Sequence, residues 1–479
     1  MNRRVLGRGA LWALLAVSVS SLVSCAGTGT RTSLTPMVEA RAIGLVDDAR
    51  TDAIDSRWWH ELNDNALTGL IERALDANPA VLVARARQLG AEASADLTAA
   101  TNAPHVDGSL DITRQRFSEK SIYPPPLGGS TQTVATVRAS AGWDVDIFGK
   151  NRAALDAAIG SARAAQADAA AARIIVAATV AQRYVALARL VAQREIAGQS
   201  LQQRQQLLDL VRQRVRSGLD SNVELRQSEG ALPEAREQIE AIDESIALAR
   251  HQLATLTAQS PEALTTLTPA LPVPSNGAVP ARLSVDLLGR RPDVVAARWR
   301  VEAAAQNVTS ARAAFYPDVN LVAFVGFSSL GLDRLLDAGS RELGAGPALR
   351  LPLFDAGRLR ANLRGRDAEL DAAVNSYNGA VLEAVRDVVD QIASLQSIAR
   401  QQQEQLAAKA SAESAYDLAT QRYRGGLSTY LTVLNAESNV LAQRRLAADL
   451  DARALDTRIS LLRSLGGGWQ DATPSLAWH

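Results

Sequence analysis

The sequence predicts an α+β membrane protein with four membrane-crossing β-strands and long coiled-coil α-helices, laid out as a duplicated unit. Three observations carry that expectation. Apolar residues recur at every second position between Val137 and Phe148, the run from Lys150 to Arg216 has no proline and little glycine, and the same landmarks return in order in the second half. In the first stretch Val137, Ala139, Ala141, Trp143, Val145 and Ile147 are apolar, while Arg138, Ser140, Asp144 and Asp146 are polar. This is the two-residue period of a strand with one apolar and one wet face. The second stretch consists of strong helix formers. As one helix it would be roughly 100 Å long at ~1.5 Å per residue, more than most compact soluble domains accommodate.

The chain opens with Arg3, Arg4 and Arg8 and then an apolar run from Leu11 to Val23. That run is short for a membrane span but suits an export signal. It ends in Leu22-Val-Ser-Cys25, which resembles a bacterial lipobox. Residues 1–24 are therefore read as a lipoprotein signal peptide and Cys25 as the lipidation site, since the lipid is attached through sulfur. Cys25 is the only cysteine, so no intramolecular disulfide can form. Ala26 follows it instead of Asp, which by analogy with bacterial lipoproteins favours the outer membrane. Residues 25–60 are read as a lipid-anchored N-terminal tail.

The first repeat is assigned to 61–260. Trp58-Trp59 opens a helical segment, in which Leu67, Leu70, Ile71, Ala74 and Leu75 keep an amphipathic spacing up to Asn78-Pro79. A second helix runs from Ala80 to about Ala100. From Val106 to Thr113 the period is two again, and the breakers Tyr123-Pro-Pro-Pro-Leu-Gly-Gly129 separate this strand from the next. The long helix reverses between Arg216 and Asn222, where Gly218 supplies the helix-ending conformation. Pro233 is expected to kink or interrupt the returning helix. Ile239, Ile242, Ile246, Ala249, Leu253 and Leu256 then form a coiled-coil seam.

A proline-rich connector, 261–283, leads to the second repeat, 284–466, and a C-terminal tail, 467–479. Pro79 is echoed by Pro292 and Pro104 by Pro317 (213 residues apart in each pair), Phe148 by Phe354 (206) and Gly218 by Gly426 (208). Four landmarks in one order indicate an internal duplication. Strands three and four are expected at Val319–Phe327 and Gly344–Phe354, although Pro347 and Pro352 weaken the last. The second long helix runs from Arg358 to Arg424 and returns from Ser428 to Leu465.

Four strands cannot stand alone in a bilayer, because their edges would leave backbone groups unpaired in hydrocarbon. The smallest closed membrane barrels have about eight strands. A ring of identical copies sharing one barrel follows. Its outward face would carry Val137, Trp143, Val145, Leu321 and Phe327, and its lumen Asp107, Asp111, Arg138, Asp144 and Asp146.

Trp58-Trp59, Arg290-Arg291-Pro292-Asp293, Leu351-Pro-Leu-Phe354-Asp-Ala-Gly357 and Arg422-Tyr-Arg-Gly-Gly-Leu together resemble the outer-membrane efflux protein family, the TolC- and OprM-like channels, in its lipidated branch. The resemblance covers almost the whole mature chain. It implies a homotrimer with a joint twelve-strand β-barrel and a long α-helical coiled-coil barrel in the periplasm. It also implies a periplasmic adaptor (membrane fusion) protein and an inner-membrane pump of the RND type as partners. The helical tips that meet the adaptor would include Arg214, Gly218, Leu219, Arg422, Gly426 and Leu427. The periplasmic gate would include Tyr423, Leu431 and Asn435, with Asn435 where relatives often carry Asp.

Enzyme classes find no support. His60, His105, His251 and His479 are scattered and no Gly-rich phosphate loop joins a strand to a helix, so no catalytic residue, metal site or cofactor is expected. The 51 basic and 51 acidic residues balance, and no nucleic-acid partner is expected. Two alternatives stay open: the outer-membrane duct of a type I protein secretion system, and a lipid-anchored periplasmic coiled-coil scaffold without a pore.

Overall fold

A computed structural model describes residues 35–39, 42, 55–271 and 289–470. The signal peptide, Cys25, most of the tail, part of the proline-rich connector and the last nine residues lie outside the described residues. The elements are α1 (Asn65–Ala77), α2 (Pro79–Thr101), β1 (His105–Arg116), β2 (Thr131–Val145), α3 (Lys150–Arg216), α4 (Asn222–Leu256), α5 (Pro292–Ala313), β3 (Asp318–Leu330), β4 (Arg341–Arg350), α6 (Arg358–Arg424) and α7 (Tyr430–Ser464). The two halves match in detail: α3 and α6 each have 67 residues, and α4 and α7 each have 35.

The chain divides into two compact units. One contains the sheet, an antiparallel meander in the order β1-β2-β3-β4. Its register sorts the side chains by face, because cross-strand partners point the same way. One face carries Val106, Leu110, Ile112, Val137, Trp143, Val319, Leu321, Val325, Phe327, Leu343 and Leu349. Many of these are bare, Val106 at 72% and Leu343 at 79% exposure. The other face carries Asp107, Asp111, Thr136, Arg138, Asp144, Asn320, Ser328 and Glu342.

The strands differ from the expected ones at their ends. β2 starts at Thr131 and stops at Val145 rather than Phe148. The cause is Asp146: its carboxylate accepts from the backbone amides of Asn151 (3.1 Å) and Arg152 (2.6 Å) and so caps α3. Asp146 is therefore a helix cap and not part of the polar sheet face. Asp355 does the same at α6, accepting from the amides of Gly357 (3.0 Å) and Leu359 (2.8 Å). β4 spans Arg341–Arg350 instead of Gly344–Phe354. Pro347 lies within β4, in register opposite Leu321.

In the same unit, α5 packs on the first turns of α3 and α6. A Cβ on Gly160 would sit 3.1 Å from that of Ala303, and Val308, Ala311 and Leu363 form a small core. Lys150 pairs with Asp318 at 2.9 Å beside this contact.

The second unit holds the main core: Trp58, Leu67, Ile71, Val180, Tyr184, Leu187, Leu253, Leu455 and Ile459. Trp58 and Trp59 lie in a short 3-10 turn, Trp58–Leu62, and the α-helix proper begins only at Asn65. Asp64 caps it, accepting from the amides of Ala66 and Leu67, and its other oxygen accepts from the Tyr184 hydroxyl at 2.6 Å. Of the expected seam, Ile246 and Leu253 are buried, and Ile242, Ala249 and Leu256 pack against the core. Pro233 does not interrupt α4, which runs unbroken past it. Pro233 itself is exposed, and its ring removes one internal hydrogen bond of a 35-residue helix. Arg291 of the Arg-Arg-Pro-Asp motif is buried against Asp293 (2.6 Å) and Asp387 (3.4 Å), beside the end of α7.

Candidate functional site: the two helical turns

The hairpins α3–α4 and α6–α7 turn in the same way. In the first, the Leu219 amide reaches back to the Arg214 carbonyl at 2.9 Å, and Gly218 takes φ +73°. In the second, Leu427 reaches Arg422 at 2.8 Å, and Gly426 takes φ +79°. Each is a Schellman closure, whose left-handed residue glycine adopts without steric cost. The next helix starts differently in the two cases. Ser221 and Glu224 form a reciprocal capping box on α4, whereas Thr429 makes no side-chain cap on α7.

The predicted residues separate into two groups. Gly218, Leu219, Arg422, Gly426 and Leu427 are exposed at the turns, with Leu219 and Leu427 presenting bare apolar side chains. Leu431 and Asn435 are exposed on α7, one helical turn apart. Tyr423 and Arg214 do not join them. Tyr423 is fully buried with Leu207, Val211, Ala419, Tyr430 and Val433. Arg214 is buried as well, and its guanidinium lies 4.6 Å from the Tyr423 ring centre.

The residue that organises this cluster is Asp220, whose place in the turn suggests only a cap for α4, a role that Ser221 takes instead. Its carboxylate accepts two bonds from Arg214, at 2.9 and 3.2 Å, and a third from the Tyr423 hydroxyl. Arg214 also donates to the Tyr423 carbonyl at 3.0 Å. The turn of the first hairpin is thereby tied to the end of α6. Burial alone would raise the Asp220 carboxyl, but the bonds from Arg214 and Tyr423 outweigh it and hold it below the usual range. Burial, reinforced by the bond to Asp220, pushes the Tyr423 phenol well above its usual value. At neutral pH this is a charged pair with a neutral phenol.

Further along the same helices lies a second link. Glu437 on α7 is 1% exposed and accepts from Arg204 Nε (2.7 Å) and the Ser200 hydroxyl (3.1 Å) on α3. Arg204 also donates to the Ala231 carbonyl on α4 at 3.0 Å. Three helices thus meet at one buried ion pair.

On the polar face of the sheet, Arg138 donates to Glu342 through Nε (2.9 Å) and Nη2 (2.5 Å), crossing β3 at Gly326. A Cβ at Gly326 would fall 2.3 Å from the Val137 carbonyl oxygen, so only glycine fits. Among the described residues, no His, Cys, Asp and Glu cluster could hold a metal ion.

A profile described as outer membrane efflux protein matches residues 70–259 and 283–467. The multidrug resistance outer membrane protein MdtQ of Escherichia coli O6:H1 is 34% identical, over 87% of this chain and 88% of that relative. MdtP of the same strain, also named a multidrug resistance outer membrane protein, is 35% identical over 98% and 99%. Among solved structures, the outer membrane protein VceC of Vibrio cholerae superposes with a TM-score of 0.81 at 35% identity, covering 86% of this chain and 98% of VceC. The Campylobacter jejuni CmeC outer membrane channel has the same fold, with a TM-score of 0.83 at 19% identity over 94% and 95%. The chain belongs to the outer membrane efflux protein family.

Proposed function

We propose that this outer-membrane efflux duct works as a homotrimer, in which three four-stranded sheets close into one twelve-strand β-barrel and the long helices form a coiled-coil tunnel in the periplasm. The observation that carries this reading is the sheet. It has a largely apolar face on which many side chains are bare, a polar face opposite, and β1 and β4 as its two edges among the described residues. Neither edge can be left unpaired in hydrocarbon. Strands of 10 to 15 residues are long enough to cross at a tilt. The equal lengths of α3 and α6, and of α4 and α7, support an internal duplication as the origin of the plan.

In this reading Cys25 carries a lipid that holds the mature N-terminus at the membrane. The exposed turns, with Gly218, Leu219, Arg422, Gly426 and Leu427, meet a periplasmic adaptor that couples the duct to an RND-type inner-membrane pump. Leu431 and Asn435 narrow the tunnel entrance, and the Arg214–Asp220–Tyr423 cluster latches the two hairpins in the closed state. The cargo is small molecules; the similarity to MdtQ and MdtP favours them over a secreted protein. Selection among cargoes falls to the pump, since the duct is passive.

The test is the mass of the detergent-extracted protein from outer-membrane fractions, by light scattering corrected for bound detergent. A trimer that conducts ions in a planar bilayer is expected. A folded monomer would overturn the shared barrel and favour a lipid-anchored scaffold.

A further inference from the structure

The outward face of the sheet is not uniform along its length. On β1, Val106, Leu110 and Ile112 are followed on the same face by Arg114 and Arg116. On β4, read in the opposite direction, Leu349, Pro347, Ala345 and Leu343 are followed by Arg341. All three arginines lie at the end where the strands are joined by loops, and none lies at the end joined to the helices. Arg116 pairs with Glu119 at 3.2 Å in an exposed setting. Arg114 and Arg341 are exposed, and no carboxylate partners them among the described residues.

β1 and β4 are also the two edges of the sheet. In a closed ring of copies, β4 of one copy lies beside β1 of the next, roughly 4.8 Å away. The fixed cation of each edge then stands at a junction between copies, directly above an apolar band. A guanidinium presents paired N–H donors that match a phosphate, and its hydration is weak enough to work at a membrane boundary.

We propose that Arg341 of one copy and Arg114 of the next form a site for the phosphate groups of anionic lipid at the outer rim of the barrel. The apolar band beneath receives the acyl chains, which is why the occupant is a phosphorylated lipid and not free phosphate. The site rests on the shared-barrel reading, because neither edge strand supplies both cations.

The experiment uses full-length protein extracted from the outer membrane and confirmed as a trimer, so that failure of the barrel reading is seen first and separately. Binding of lipid A carrying both phosphates is compared with that of its dephosphorylated form in dodecyl maltoside micelles, by native mass spectrometry. Wild-type trimer should prefer the phosphorylated lipid by about fivefold or more. The double variant Arg114→Gln with Arg341→Gln should lose that preference, Arg114→Lys with Arg341→Lys should keep most of it, and Arg350→Gln, on the polar face, should leave it unchanged. Equal binding of the two lipids by wild-type trimer overturns the proposal and needs no variant. A preference that survives the double Gln substitution also overturns it.

Discussion

Tyr423, near the end of α6, donates its hydroxyl to the carboxylate of Asp220 in the turn between α3 and α4, 203 residues away in sequence. The same carboxylate is forked by Arg214. One short turn thus holds the end of the other hairpin through a buried phenol, and separating the hairpins requires that bond to break.

Removing either end of the bond should loosen the closed state. Tyr423→Phe and Asp220→Asn are each expected to raise single-channel conductance in planar bilayers, at a cost of about 1 kcal/mol in local stability. Wild-type conductance in both variants would show that this contact does not hold the tunnel shut.

The same cluster sets a pH window. Asp220 titrates below its usual 3.8 in the folded protein, so its contribution is complete above that value and is lost only as pH falls through the lowered one. Tyr423 titrates above its usual 10.0, so its contribution is complete below 10.0 and is lost as pH rises through the raised value. Wild-type conductance should therefore be flat between about pH 5 and 9 as far as this contact governs it. A step in that window that persists in Asp220→Asn would locate the controlling group elsewhere.

Leu431 and Asn435 are exposed on one face of α7. If the proposed constriction is right, Leu431→Ala and Asn435→Ala should each increase conductance without changing the trimer mass, because both side chains are exposed and neither supports the core. If conductance is unchanged in both, neither belongs to the constriction.

Glu437 behaves differently because it is buried. Glu437→Ala removes the 2.7 Å partner of Arg204 and leaves it only the exposed Glu234 at 3.9 Å, which should cost about 3 kcal/mol, seen as a clear fall in the apparent melting temperature in detergent. Pairing it with Arg204→Ala should cost less than the sum of the single changes. As a reference, Arg226→Ala breaks an exposed pair with Glu229 and should shift melting very little. Additive losses from Arg204 and Glu437 would show that the pair acts as two independent groups.

Much of the architecture was legible from periodicity. The bounds of α3 and α6 emerge where the absence of proline and the terminal glycines put them, because helix propagation is a local property. The alternation in β2 correctly divides its residues between two faces, because side chains in a strand cannot do otherwise. The site was legible only in part. Leu431 and Asn435 do share an exposed face, but Tyr423, grouped with them by motif, is buried and facing Asp220. Of the kink or interruption that Pro233 suggests, the interruption does not occur, because the helix on either side of it continues through to Leu256.

By itself the sequence determined the kinds of element, their order and the bounds of the two long helices α3 and α6, all of which follow from interactions within a few residues along the chain. Only the tertiary structure decided that Asp146 caps a helix instead of extending a strand, that Asp220 joins Tyr423, and that Glu437 is buried against Arg204. Each is a carboxylate, a group whose charge can be spent on a backbone amide, a phenol, a guanidinium or water. For Asp146 the partner is the nearby start of α3, but for Asp220 and Glu437 it lies more than 200 residues away, so packing between distant segments decides it. Burial then makes the choice binding, since an unpaired charge out of water is costly.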